Sequence, residues 1–138
     1  GEFREKYKKQ KQKCPHRSQT VKKNLEEWQK MLKGEYEEQD VVVRLKTGMD
    51  QKDPALRDQI IMRISEAEHP RVGNKYIIWP MLEFSWAIDD HLIGVTHILR
   101  GSDLVKEDFI EEFIWCHTCK MLILVKIKKS SRQRYAKN

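Results

Sequence analysis

The sequence predicts a mixed α/β fold, and three observations carry that reading. Val21, Leu25, Trp28, Met31 and Leu32 recur at helical spacing. Val41, Val43 and Leu45 alternate with Val42, Arg44 and Lys46 at a period of two. A glycine stands just beyond each of two helical runs, at Gly34 and Gly94. The first period lays apolar side chains along one helix face and the second lays them on one strand face. With 138 residues, the chain fits one ordinary domain or a domain plus a lobe.

Taken in order, residues 2–13 read as a basic helix with Phe3 and Tyr7 four apart, broken by Cys14-Pro15. Ser18 or Thr20 caps the next helix, and Gly34 stops it. Val41 to Lys46 is a half-buried strand. Met49 to Asp58 is a turn region in which Asp53-Pro54 supplies a cap and a first helical position. Ile60 to Ile64 and Tyr76 to Trp79 are further strands, separated by the turn His69 to Asn74. A short helix then runs through Asp89 and Asp90 to Gly94. The β-branched run Val95 to Leu99 reads as a strand ending in Arg100-Gly101. Ser102 caps a helix that places Leu104, Val105, Phe109 and Phe113 on its apolar face, with Ile110 and Ile114 on the flank. Met121 to Ile127 is a final strand, and Lys128 to Asn138 a polar tail.

Charge is unevenly placed. Residues 1–33 hold 11 Lys/Arg against 4 Asp/Glu, residues 34–125 hold 10 against 17, and residues 126–138 hold 6 against none. Basic ends around an acidic middle fit a polyanionic partner touching the ends, and equally fit solvated termini. No apolar run approaches the roughly 20 residues of a membrane span, and no signal-peptide pattern is present, so a cytoplasmic chain with no membrane partner is expected. Three cysteines, an odd number, argue against a disulfide framework. Cys116-His117-Thr118-Cys119 has CxxC spacing, but a lone pair is a weak zinc signal, so reduced thiols and no metal are expected.

Arg100 stands where a strand meets the next helix, the edge at which open α/β sheets place ligands. Its planar fork suits a carboxylate or phosphate; the plainer alternative is a structural ion pair with Asp103 or Glu107. Asp89 and Asp90 are not a catalytic pair, because adjacent helical residues point about 100° apart. His97 reads as a packing residue in a strand. Arg44, Lys46, Arg57 and Arg63 form a second basic set among strand positions, suited either to a phosphate backbone or to a solvated sheet face.

Trp79-Pro80-Met81-Leu82-Glu83-Phe84, followed by Ile88 to Gly101, resembles the signature of class I glutamyl-tRNA synthetases of archaeal and eukaryotic type. Cys14-Pro15-His16-Arg17, Asn24-Leu25-Glu26-Glu27-Trp28, Met31 to Tyr36, Val42 to Thr47, Asp53 to Asp58 and Met62-Arg63-Ile64 follow the same family's order. The resemblance spans about Phe3 to about Trp115. It implies a partial Rossmann-like synthetase fold with an inserted antiparallel-strand region. Residues 1–78 would be the tRNA-acceptor-binding insert, 79–127 the start of the second half of the catalytic fold, and 128–138 a basic tail.

The resemblance further implies an ATP-dependent glutamate–tRNA ligase whose partners are tRNA and glutamate, with ATP and magnesium as cofactors of the full enzyme. In the family an arginine at the position of Arg100 helps hold the substrate carboxylate. Leu82 stands where tyrosine is usual, Glu83 where aspartate or asparagine is usual, and Trp86 where a smaller residue lines the pocket. Leucine packs there without a hydrogen bond, and Trp86 reads either as pocket wall or as core. Arg44, Lys46 and Arg63 would engage the acceptor end. The family's His-x-Gly-His and Lys-Met-Ser-Lys-Ser motifs do not occur in these residues, and Lys126 to Ser131 echoes the second only faintly. The expectation is an internal piece with no catalytic residue and no cofactor of its own, inactive alone. The alternative is a non-catalytic tRNA- or protein-binding module derived from that fold.

Overall fold

The computed structural model describes residues 4–118. The basic helix expected over 2–13 is a single π-helical turn, Arg4–Lys9, and Lys11 beyond it takes a left-handed φ of 57°. After a 3-10 turn at Pro15–Ser18 comes α1, Val21–Leu32. Thr20, not Ser18, caps it, accepting from the Lys23 amide at 3.2 Å, while Ser18 donates to the Pro15 carbonyl. Gly34, at φ 73°, ends the helix as its position predicts. The apolar stripe of α1 is largely uncovered: Met31 is buried, but Val21 is 75% exposed and Leu25 56%. No other described helix or strand packs broadly against it.

Three short strands, β1 (Val42–Arg44), β2 (Ile60–Ile64) and β3 (Ile78–Pro80), form an antiparallel sheet in the order β1-β2-β3. This mixture of helices and antiparallel strands is the expected α/β fold class. β1 is shorter than expected because the register shifts between Val43 and Arg44, bringing Ile60 opposite Arg44. β3 falls two residues later than Tyr76, with Pro80 at an edge where its missing donor costs no ladder bond. Between β2 and β3, His69 and Gly73 exchange backbone hydrogen bonds of 3.2 and 2.8 Å, and Gly73 supplies the positive φ of that turn. Before β2, Asp53 caps the 3-10 turn Pro54–Leu56, accepting from the Ala55 amide at 2.8 Å.

β3 leads through Met81 into α2, Leu82–Leu92, which ends where Gly94 turns left-handed and the Val95 amide reaches back to the Asp90 carbonyl. The strand expected over Val95 to Leu99 does not form: the segment is irregular, and Leu99 is 95% exposed. A strand exists only by pairing, and no described strand lies beside this one. Ser102 does not cap the last helix; it lies inside a 3-10 turn, Ser102–Leu104, preceded by Gly101. α3, Val105–Thr118, follows directly.

The core lies between α2 and α3, where Ala87, Ile110 and Ile114 are buried and Leu56, Phe84 and Trp115 pack around them. The face of α3 is thus turned by about one residue from that expected. Ile110 and Ile114, taken as flank, are the core, and Val105 is 45% exposed. Phe109 packs against this core as expected, and Phe109, Phe113 and His117 also stack along the helix, with centroids 6.4 and 4.1 Å apart. The Trp115 indole donates to the Ala87 carbonyl at 2.7 Å and locks the two helices together. The expected strand Met121 to Ile127, the tail and Cys119 lie outside the described residues. Among the described residues no helix is long and apolar enough to cross a membrane, and no cluster of three or more His, Cys, Asp or Glu could hold a metal.

Candidate functional site

Arg100 leaves the irregular segment after α2 and folds its side chain back between the two helices. Its guanidinium carbon lies 4.8 Å from the centre of the Trp86 ring, a cation–π contact. Nη2 meets the Asp90 carboxylate at 3.5 Å, and Nη1 donates to Asp108 at 3.3 Å and to Glu111. The partners are therefore not Asp103 or Glu107. Asp90 and Asp89 diverge as adjacent helical residues must: Asp90 turns to Arg100 and Asp89 is exposed.

A hollow of about 290 Å³ opens beside the arginine. Trp86 and Asp90 of α2 form one wall, and Val95, His97, Ile98, Leu99 and Arg100 form the rest. The structure thus joins Arg100 and Trp86, which sequence reasoning placed in one pocket. Leu82, at the first turn of α2, is 51% exposed and does not line this hollow. His97 is exposed, its ring beside the Thr96 hydroxyl at 2.8 Å, because the strand that would have packed it is not formed.

Glu111 was invisible to sequence reasoning. It is 2% exposed and stands one residue from the core position Ile110. Burial pushes its carboxyl up to about 7; the Arg100 guanidinium pulls the other way, and the neighbouring Asp90 adds to the rise. Its Oε1 has no hydrogen-bond partner among the described residues. The available signal was Asp108 and Glu111 three apart on α3, two acids on one helix face ahead of an arginine that needs partners.

The basic set on the sheet divides. Arg63 and Lys46 are exposed, whereas Arg44 is half-buried, reaches the Asp58 carbonyl at 3.4 Å and has its basicity lowered by burial. Arg57 does not belong to a phosphate-facing surface. It is 4% exposed, and its guanidinium donates to the carbonyls of Lys8, Gln51 and Lys52. Asp58, equally buried and at a positive φ of 41°, accepts from Arg17 at 2.8 Å and from the Gly48 amide at 3.1 Å. These two residues staple the basic N-terminal segment to the turn before β2. Beside the staple, Lys11, Lys13 and Arg17 face Gly48, Met49 and Asp50 across a hollow of about 450 Å³.

Two comparisons bear on this arrangement. Residues 2–132 match the family model of the class I tRNA synthetases (E and Q), catalytic domain. A glutamate–tRNA ligase of Methanosarcina barkeri is 49% identical over 117 residues, which is 83% of this chain and 20% of that protein. One from Archaeoglobus fulgidus is 50% identical over 102 residues, covering 74% and 18%. One from Pyrococcus furiosus is 48% identical over 103 residues, again 74% and 18%. The chain thus spans about a fifth of the length of these relatives. With the family model matching nearly its whole length, the chain belongs to the class I tRNA synthetases of the E and Q type, within their catalytic domain.

Proposed function

We propose that this chain is the part of a glutamate–tRNA ligase that reads the carboxylate of glutamate and touches the acceptor end of tRNA. The whole protein joins glutamate to tRNA in the cytoplasm at the expense of ATP, with magnesium; this chain supplies binding surfaces and no reacting group. Residues 1–78 carry the acceptor contacts, and residues from 79 onward open the second half of the catalytic fold. The observation that carries the reading is Arg100, which belongs to the family-like motif, lines a hollow and lies 4.8 Å from the centre of the Trp86 ring. A planar guanidinium with a fixed orientation is the group that distinguishes a carboxylate side chain from an amide. Lys46 and Arg63, with Lys11 and Lys13 at the second hollow, offer exposed cations to a phosphate backbone.

The test is Arg100→Ala in the whole ligase. Losing a charge-assisted fork costs on the order of 2–3 kcal/mol, so glutamate use falls tens- to a hundredfold while the apparent affinity for ATP holds. An unchanged KM for glutamate would make Arg100 purely structural. One observation favours a second reading, a non-catalytic tRNA- or protein-binding module: three carboxylates of this chain already surround Arg100, and Leu82 brings no hydroxyl. Under that reading the Arg100→Ala protein keeps its tRNA affinity and never responds to glutamate.

A further inference from the structure

The three carboxylates around Arg100 are not equivalent. The Asp108 side chain is 37% exposed, that of Asp90 22% and that of Glu111 3%. An exposed partner contributes little and exchanges readily with solvent or ligand, whereas a buried charge-assisted bond fixes geometry. Glu111 occupies a turn of α3 whose neighbours Ile110 and Ile114 are the core, and a carboxylate there carries a desolvation cost that an apolar residue would avoid. One of its oxygens has no partner, and the other is spent on Nη1 of Arg100. Packing does not explain it; its ion pair with Arg100 does.

We propose that Glu111 is a positioning residue, pinning Nη1 of Arg100 from the core side so that the guanidinium stays on Trp86 and lines the hollow. Asp90 is the second anchor. Asp108, the outermost partner, is the one an incoming carboxylate displaces. The proposal rests on the reading of Arg100 as the glutamate contact, and its test separates the two.

The experiment is nitrogen NMR of the Arg100 guanidinium in the full 138-residue chain. In the wild-type chain at pH 8.5, rotation about the guanidinium is hindered and the Nη groups give separate signals. In Glu111→Gln they merge, while Asp108→Asn leaves them separate. The wild-type chain needs no substitution to show the same loss: as pH falls through about 7, Glu111 takes its proton and the signals merge. The other ionisable groups facing this site are Asp90 on α2, Asp108 on α3, and Arg100 itself and His97 on the segment between the helices; Lys106 at the start of α3 pairs with Asp53 of the turn before β2. In Glu111→Gln the signals should be merged at every pH; signals that are separate there at pH 8.5 and merge only on acidification assign the response to one of these other groups and overturn the positioning role.

A parallel titration with L-glutamate, read on Arg100 and the Trp86 indole, should weaken about tenfold in Glu111→Gln and vanish in Arg100→Lys. Separate Nη signals that persist in Glu111→Gln and at low pH overturn the positioning role, even where Arg100→Lys still abolishes the glutamate shifts. An Arg100→Lys chain indistinguishable from wild type toward glutamate overturns the carboxylate reading and leaves the positioning contact standing.

Discussion

Glu111 binds its proton more tightly in the folded chain than in the unfolded one, and the sign of the consequence is fixed. Its carboxyl rises from 4.5 to about 7 on folding, so the stabilisation is complete below about 4.5 and is lost as pH rises through about 7. Urea midpoints measured from pH 4.5 to 8 should fall across that window in the wild type and stay flatter in Glu111→Gln. Glu27 acts in the opposite sense and a different window. Lys23 and Tyr36 hold its carboxyl down to about 2, so its contribution is present above about 4.5 and fades as pH falls toward 2. At this scale the sequence was legible where chemistry is local. Asp53 before Pro54, Gly34, Gly94 and the motif around Arg100 each announce themselves within four residues. The partners of Arg100, Arg57 and Asp58 lie up to 49 residues away, and no local pattern reports them.

At the scale of elements, α3 gives the sharpest test. Truncating Ile110 to alanine should cost about 2–5 kcal/mol, since the cavity opens in the core cluster between α2 and α3. Truncating Val105, which the sequence pattern placed on the apolar face, should cost under about 0.5 kcal/mol, because it is nearly half exposed. Equal losses in chemical denaturation would restore the sequence-based face. Phe109 keeps part of the expected face, packing against the cluster, while Phe113 stacks between Phe109 and His117 and the smaller Ile110 and Ile114 fill the gap against Ala87. Val95 to Leu99 failed as a strand for another reason. β-propensity describes a fit to neighbouring strands, and none is described beside this segment. Helix α1 has the limits its sequence predicts, but its periodic stripe says which face is apolar and not whether anything covers it.

For the molecule as a whole, the proposed tRNA contact should follow the separation of basic ends from an acidic middle. With three to five phosphate contacts, affinity should drop roughly tenfold to a few hundredfold between 50 and 200 mM salt. Lys46→Ala with Arg63→Ala should lower both the affinity and the slope, and Lys11→Ala with Lys13→Ala should do the same if the larger hollow takes part. Binding that ignores salt would exclude a phosphate-led contact. The Arg57 staple shapes this surface over evolutionary time as well as in solution. Arg57 grips the carbonyl oxygens of Lys8, Gln51 and Lys52, and main-chain oxygens are the same whatever side chain the residue bears. The anchored stretch can therefore change its lysines, add them or lose them without slipping its mooring. Arg57→Lys, which keeps the charge but loses the fork, should cost at least about 2 kcal/mol in chemical denaturation. Affinity for a polyanion can drift in such a lineage one charge at a time, on a backbone path that stays where it was.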